Sequence, residues 1–255
     1  MFKRIKNWLN RRIIKRSIVT SVQWEQAISS LPLLEGLSNK ELSRLQELTI
    51  LFMHDKVFEG AHGLAISQHM ALIISLQACL PVLNLGMDGY DGWTSVIVYP
   101  AGFAPERSIT DENGVVHRVQ TDLSGESWQR GPVVLSWNEV ETAGVIDGHN
   151  LVVHEFAHKL DMQNGVANGF PPLHKGMHIK DWIKAFTDGF EHFQHECRTG
   201  KSPDIDCYGA TSPAEFLAVL SEVFFERPDV LNRNYPAIYE QLRQYYRQDT
   251  LMRLR

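Results

Sequence analysis

Hydrophobic residues along the first 85 positions recur at the spacing of buried helix faces. After a cap-like sequence, Ser38-Asn39-Lys40-Glu41, leucines recur every three residues at Leu42, Leu45, Leu48 and Leu51. From about Ser67 to Cys79 the chain is apolar almost without interruption. This second segment predicts a helix that is buried on all sides. We therefore expect a helical N-terminal part over about residues 21–85.

The pattern changes between about residues 90 and 140. Short runs rich in β-branched and aromatic residues are bounded there by Gly, Pro, Asn and Asp, and they comprise Val96–Tyr99, Val115–Val119 and Val133–Trp137. Asn113-Gly114 is a strong signal for a hairpin turn. These features predict a small, mostly antiparallel sheet.

Helical periodicity returns after Asp147-Gly148-His149-Asn150 and continues through about residues 148–255. One helix is expected to stop at Asn164-Gly165, and others are expected over about residues 178–197, 213–226 and 235–247. Helices followed by a sheet and then by further helices are typical of an α+β fold. We predict a single domain over residues 21–255, preceded by a segment of residues 1–20.

The first helix of this C-terminal part contains the sequence His154-Glu155-Phe156-Ala157-His158, which reads H-E-x-x-H. Residues four apart share one helix face, so His154 and His158 can bind the same Zn²⁺. Glu155 would then lie beside the open position of the metal, where it can take a proton from an attacking water and pass it to a leaving amine. The alternative is a coincidental histidine pair on a helix.

A catalytic zinc normally has three protein ligands, so the two histidines need a partner. The compact motif H-E-x-x-H-x-x-G-x-x-H is excluded, because Asp161 and Asn164 stand at the positions of its glycine and its third histidine. Downstream, Ser212 and Pro213 have the pattern of a helix start, which puts Glu215 at the third helical position. Glu215 could close a capping box there. However, the residues after it are almost wholly apolar, and a buried carboxylate needs a cation or a hydrogen-bonding network.

We prefer Glu215 to Glu222 as the third ligand, completing a His₂Glu set. Glu222 and Asp161 are then candidates to accept a hydrogen bond from an imidazole. Tyr208 precedes the helix of Glu215 and could stabilise an oxyanion, although a loop tyrosine more often serves packing. The remaining histidines of the C-terminal part are expected to be solvated or locally hydrogen-bonded, and they include His174, His178, His192 and His195.

Charge is distributed unevenly along the chain. Seven of the 25 basic residues lie in the first 16 positions, which contain no acidic residue, so 18 basic residues face 30 acidic ones in the remainder. A body this acidic argues against direct nucleic-acid binding. For the basic segment, which includes Ile5, Trp8 and Leu9, we favour a helix packed on the body or a mobile tail over contact with a membrane or a partner.

Neither a signal peptide nor a membrane-spanning segment is indicated by the apolar runs of the sequence. The cysteines are Cys79, Cys197 and Cys207, an odd number without C-x-x-C spacing. This pattern argues against disulfides and for a reducing compartment. We therefore expect a cytoplasmic protein.

Several long phrases of the sequence resemble one family. They are His154–Asp161, Asn168–His174, Pro213–Glu222, Gln77–Leu83 and Arg130–Trp137. These phrases are similar to the Mlc titration factor A family of bacterial zinc peptidases, and the resemblance extends from about Trp24 to the C-terminus.

The resemblance implies a zincin-like core similar to that of anthrax lethal factor. It implies that His154, His158 and Glu215 hold one zinc ion, that Glu155 is the general base, and that Tyr208 assists at the oxyanion. It also implies aminopeptidase-like activity on short peptides and binding of the glucose repressor Mlc, which regulates the glucose phosphotransferase system.

The motif and the resemblance lead to two hypotheses about function, which belong to different classes of protein. The first is a zinc-dependent peptidase. The second is a protein that sequesters a transcription repressor and in which peptidase activity is secondary. A purely structural zinc is a weaker third interpretation, because Glu155 would then have no task and closed structural sites favour thiolates.

Overall fold

A computed structural model describes residues 2–101, 106–110, 116–120, 125–127, 131–142, 145–200 and 204–254. The helices of these residues are α1 Phe2–Lys15, α2 Ser21–Ser29, α3 Asn39–Asp55, α4 Gln68–Cys79, α5 Trp137–Thr142, α6 Leu151–Asp161, α7 Ile179–Thr199, α8 Pro213–Glu226, α9 Pro228–Asn234 and α10 Pro236–Tyr246. The strands are β1 Val57–Gly60, β2 Ser95–Tyr99, β3 Glu106–Thr110, β4 Val116–Gln120, β5 Gly125–Ser127 and β6 Val133–Ser136. The predicted α+β class is confirmed.

Side-chain caps determine where several helices begin. The Ser38 hydroxyl accepts a hydrogen bond from Glu41 N, and the Glu41 carboxylate accepts one in return from Ser38 N, which completes a capping box. Ser67 caps α4 through Met70 N at 3.1 Å. Each cap satisfies a backbone donor that has no partner inside the helix. The helix starts predicted at these serines are therefore confirmed.

The main sheet has the strand order β1-β2-β6-β5. β1 pairs with β2 and β2 pairs with β6 in parallel, and only β5 runs antiparallel to β6. The prediction of a mostly antiparallel sheet was thus wrong for this sheet. β1 is short, contains a glutamate and a glycine, and was not recognised as a strand. The chain passes through α4 between β1 and β2, and such a crossover permits parallel pairing.

β3 and β4 form a separate two-stranded antiparallel ladder, in which Thr110 lies opposite Val116. The turn predicted at Asn113-Gly114 lies outside the described residues. Trp137, which was predicted to end a strand, instead begins α5.

α6 passes through the centre of the hydrophobic core. It contacts α4, α8, β5 and β6, and nearly all of its residues are buried. On the side opposite its histidines, Phe156 contacts an aromatic cluster made of Phe52, Tyr90 and Trp93, with ring centroids 5.1–5.7 Å from its own. These edge-on and tilted contacts fix the rotation of α6 about its axis.

The N-terminal segment contains α1, which packs on α3. Lys6 Nζ lies 2.7 Å from Asp88 Oδ1, which ties the helix to the body. Within the described part of the chain, no helix combines the length and the apolar character that crossing a membrane requires.

Cys197 and Cys207 form a disulfide, which contradicts the prediction that the cysteines are unpaired. The two residues are ten positions apart, and the fold brings the end of α7 against the 3₁₀ helix Cys207–Ala210. This proximity depends on helix packing, which cysteine spacing alone does not report. Cys79 remains a free thiol, and burial raises its pKa.

The Phe156 contacts predict a large loss of stability on truncation. Phe156→Ala should lower the free energy of unfolding by about 3–5 kcal/mol, because it removes a fully buried ring from the cluster. The measurement is urea denaturation followed by circular dichroism. Val166→Ala is the control, since Val166 is 75% exposed and should change stability by less than about 0.5 kcal/mol. Equal effects of the two variants would contradict the central position assigned to α6.

Candidate metal centre

The histidines of the motif lie next to each other on α6. Asn150 begins the helix, because its side-chain oxygen accepts a hydrogen bond from Val153 N at 2.9 Å. His154 and His158 follow on one face, with ring centroids 4.8 Å apart. Their Nε2 atoms are separated by 3.2 Å. Both rings therefore direct their Nε2 atoms toward one point.

Glu215 joins this pair from α8. Ser212 Oγ accepts a hydrogen bond from Glu215 N at 3.2 Å, so the serine caps α8 as predicted. The Glu215 side chain turns to the imidazoles, with Oε2 3.0 Å from His154 Nε2 and 3.2 Å from His158 Nε2. The structure thus brings together the three residues that were predicted as ligands.

The arrangement fits a metal ion. Ligand atoms about 2.0–2.2 Å from a tetrahedral zinc ion stand about 3.4 Å from one another, and the three distances here are 3.0–3.2 Å. Two imidazoles and one carboxylate are a donor set that zinc accepts. Among the described residues, these three form the one group of three or more His, Cys, Asp or Glu side chains close enough to share a metal ion.

Glu222 supports His154 from the far side of the ring. Its Oε1 lies 2.7 Å from His154 Nδ1, and its other oxygen accepts a hydrogen bond from Asn150 N. The Nδ1–H donates to the carboxylate, which leaves the Nε2 lone pair directed at the metal position. Of the two roles considered for Glu222, the geometry corresponds to that of hydrogen-bond acceptor.

Charge at the centre favours a cation between the rings. Burial by itself lowers the pKa of His154, but the hydrogen bonds with Glu215 and Glu222 outweigh it and raise that pKa well above the ordinary value. For Glu215, burial alone raises the pKa, but the hydrogen bonds between its carboxylate and both histidines lower this pKa to about 2. The carboxylates therefore lower the energy of a positive charge at this position.

A further polar network behind Glu222 was missed by sequence reasoning. Asn150 Nδ2 donates to Gln77 Oε1 at 2.9 Å and to Glu226 Oε1 at 3.0 Å. Glu226 Oε2 accepts a bond from Gly148 N, and burial raises the pKa of Glu226 to about 8. The four-residue spacing of Glu222 and Glu226 on an apolar helix was the available signal.

Asp161 has a different task from the one predicted. Its Oδ2 accepts hydrogen bonds from Asn168 N and Gly169 N, both at 2.7 Å, so it anchors the loop that follows α6. Gly169 has a φ of +77°, and a Cβ there would lie 2.5 Å from Pro213 O. The loop can therefore approach the start of α8 only with glycine at this position.

Glu155 is buried, with 3% of its surface exposed. Burial raises its pKa to about 7, against the opposing effect of His154 and His158. Its Oε2 has no hydrogen-bond partner among the described residues. A buried carboxyl of this kind next to the ligands can both accept and donate a proton near neutral pH.

Tyr208 lies in the 3₁₀ helix Cys207–Ala210, and its ring centroid is 6.0 Å from that of His154. Asp206 caps this short helix by accepting a bond from Tyr208 N at 2.9 Å. The tyrosine is 47% exposed, and burial of the remainder raises its pKa. Tyr208 thus borders the metal centre from the solvent side.

The other histidines have local contacts. His174 Nε2 lies 2.7 Å from Tyr245 O, and His192 Nε2 lies 3.4 Å from Glu196 Oε1 on the same helix. His178 and His195 are exposed. In the described part of the chain, none of these four histidines contacts the residues of the metal centre.

Comparison with known proteins identifies the family. Residues 5–247 match the model of the glucose-regulated metallo-peptidase M90 family. The chain belongs to this family of metallopeptidases, and the family implies a metal ion.

Similar proteins include three that are each named Mlc titration factor A. The protein from Cronobacter sakazakii (strain ATCC BAA-894) is 38% identical over 91% of this chain and 88% of its own length. The relative from Escherichia coli O9:H4 (strain HS) is 37% identical over 92% of this chain and 89% of its own length. The relative from Klebsiella pneumoniae (strain 342) is 39% identical over 91% of this chain and 88% of its own length. The family resemblance read from the sequence is confirmed.

The contact between Glu222 and His154 predicts an effect on metal affinity. Glu222→Gln should weaken binding of the metal ion by about 10–100-fold, because the neutral amide no longer makes the imidazole a stronger ligand. Glu226→Gln, four residues later, is the matched control, since that carboxylate does not contact a histidine in the described structure. Affinity would be measured by competition with a chromophoric chelator. An equal loss in both variants would argue that the effect is only structural.

Proposed function

We propose that this chain is a zinc-dependent peptidase with aminopeptidase-like activity on short peptides. The observation that carries the proposal is the convergence of His154 Nε2, His158 Nε2 and Glu215 Oε2 beside the buried carboxyl of Glu155. Membership of a metallopeptidase family supports it. The aminopeptidase-like preference rests on the family resemblance alone.

Zinc is the proposed ion because its preferred donors are those of the site. When bound by these three side chains, zinc would polarise the scissile carbonyl and lower the pKa of the attacking water. The protein residues hold this position in advance, because Glu222 orients His154 and the Ser212 cap orients the start of α8. Little rearrangement is then needed when substrate arrives.

Glu155 is the proposed general base. It follows His154 directly on α6, and its carboxyl is shielded from solvent. We assign it the removal of a proton from the attacking water and the delivery of that proton to the leaving amine. The carboxyl that has taken this proton is then the acid that returns it.

Tyr208 is the proposed oxyanion donor. It is half-exposed beside His154, so a substrate bound at the metal centre would pass close to it. Burial raises its pKa, which keeps the phenol protonated and able to donate. A hydroxyl donor at this point would stabilise the negative charge that develops on the carbonyl oxygen.

Replacing the base should separate metal binding from chemistry. Glu155→Gln should retain about one equivalent of zinc by elemental analysis and lose hydrolysis by about 10²–10⁴-fold, because the amide cannot accept the proton. Glu215→Ala should lose both the zinc and the activity. The assay compares aminoacyl chromogenic substrates with free and with blocked amino groups.

Glu25→Gln is the control, because Glu25 is exposed on α2, away from the centre, and should leave both quantities unchanged. Full hydrolysis by Glu155→Gln would exclude the assigned base. Cleavage of blocked and free substrates at equal rates would exclude the aminopeptidase-like preference while leaving the peptidase proposal intact.

A second candidate function is the binding of the repressor Mlc in the cytoplasm. It is favoured by the name shared by the similar proteins, Mlc titration factor A. If binding is independent of catalysis, Glu155→Gln should bind purified Mlc with an affinity within about twofold of wild type, as expected when no interface contact is changed. Surface plasmon resonance with immobilised Mlc would measure this. Loss of binding by the folded variant would tie the interaction to the catalytic site.

A further inference from the structure

The two sides of α1 face different surroundings. One side is held on the body by the contact of Lys6 with Asp88 and by the half-buried residues Ile13 and Ile14. Because residues around a helix point in different directions, this packing determines which residues of α1 face outward. The other side is therefore presented to solvent in a defined orientation.

That solvent side carries large apolar residues. Trp8 is 58% exposed, Ile5 50% and Leu9 45%. The spacing of three and four residues places them along one strip of the helix surface. We call these three residues the apolar strip of α1. A strip of this kind, which has no cover in the described structure, is more than a single scattered surface residue.

Basic residues border the apolar strip. Arg11, Arg12, Lys15 and Arg16 are all exposed. The Arg12 guanidinium lies 5.7 Å from the centroid of the Trp8 ring. Because arginine and lysine have long aliphatic stems, their charges can reach past the strip to a plane above it.

A groove beside α1 extends the apolar surface. It has a volume of about 1090 Å³ and lies between α1 and α3, with Leu9, Ile13, Ile50 and Met53 among its lining residues. Ile18, at the end of the groove, is 82% exposed. The groove offers space for part of a lipid acyl chain.

Charge indicates what covers this surface. The first 16 residues contain seven basic and no acidic residues, whereas acidic residues outnumber basic ones, 30 to 18, in the rest of the chain. An anionic plane would attract α1 and repel the body, which would orient the protein on it. A nucleic acid would satisfy the charges but would provide no apolar medium for the strip.

We propose that the exposed side of α1 binds an anionic phospholipid surface. The helix lies in the plane of the interface, with Trp8, Ile5 and Leu9 inserted at the level of the head groups. The exposed arginines and lysine contact lipid phosphates. The metal centre takes no part in this binding.

The test is sedimentation of the full chain with sucrose-loaded vesicles. One set contains phosphatidylcholine alone, and the other contains phosphatidylcholine mixed with phosphatidylglycerol. Wild type should sediment with the anionic vesicles only, and high salt should release it because surface charges are screened. Soluble glycerol phosphate, added in excess, should compete weakly, because it offers the phosphate but no interface.

Two variants test the two parts of the surface. Reversal of the four basic residues (Arg11→Glu, Arg12→Glu, Lys15→Glu and Arg16→Glu) should weaken vesicle binding at least about a hundredfold. Trp8→Ser should weaken it about tenfold, because the indole ring anchors at the interface. In wild type, the Trp8 fluorescence, obtained by difference from Trp8→Phe, should shift to the blue on binding.

Matched controls lie elsewhere on the surface. Lys40→Glu, Lys175→Glu and Lys180→Glu together reverse three exposed charges outside α1, and Ile179→Ser removes an apolar residue that is 57% exposed. Both controls should bind vesicles like wild type. Circular dichroism and the thermal midpoint verify that every variant is folded.

The proposal is overturned by any of four results. These are the absence of wild-type binding to anionic vesicles, equal binding to neutral vesicles, unchanged binding by the folded charge-reversal variant, or equal loss in the controls. Wild type that binds an acidic protein or a nucleic acid through α1 but does not bind vesicles would also overturn it, in favour of that partner.

Discussion

The contact between α6 and α8 is the constraint on which the metal centre depends. α8 is apolar over most of its surface, yet it places three glutamates against the start and the histidine face of α6. Glu215 meets the imidazole Nε2 atoms, Glu222 meets His154 Nδ1 and Asn150 N, and Glu226 meets the Asn150 side chain. A shift of either helix by one turn would leave carboxylates buried without partners, at a cost of several kcal/mol. The geometry of the site and the packing of the fold are therefore fixed by the same contacts.

The opposite side of α6 is stabilised in a different way. Phe156 is enclosed by three aromatic rings, and it lies two residues from each histidine on the other side of the helix. Polar contacts determine the position of α6 on one side, and aromatic packing determines it on the other. A helix held in both ways has little freedom to rotate, so its imidazoles keep their directions without help from a ligand.

The sequence predicted the features that depend on local residues. The caps at Ser38 and Ser212 follow from short-range hydrogen bonds, and the pair His154 and His158 follows from helix periodicity. Glu215 could be chosen because a carboxylate in an apolar helix needs a polar partner. Long-range features were not accessible. The parallel order of β1, β2 and β6 depends on crossovers, and the link between Gln77 and Asn150 joins helices 73 positions apart. The partner of Cys197 likewise depended on where α7 ends.

The disulfide between Cys197 and Cys207 has a consequence for the residue next to it. Tyr208 stands on a solvent-exposed segment, where a backbone without cross-links would sample many conformations. The bond ties Cys207, the residue directly before Tyr208, to the end of a 21-residue helix, so the backbone entering the tyrosine is anchored by a covalent link. Restricting this segment in the folded chain reduces the conformational entropy that would otherwise be lost when a ligand orders it. The cross-link thus makes thiol oxidation part of what determines how well ordered the solvent side of the metal centre is.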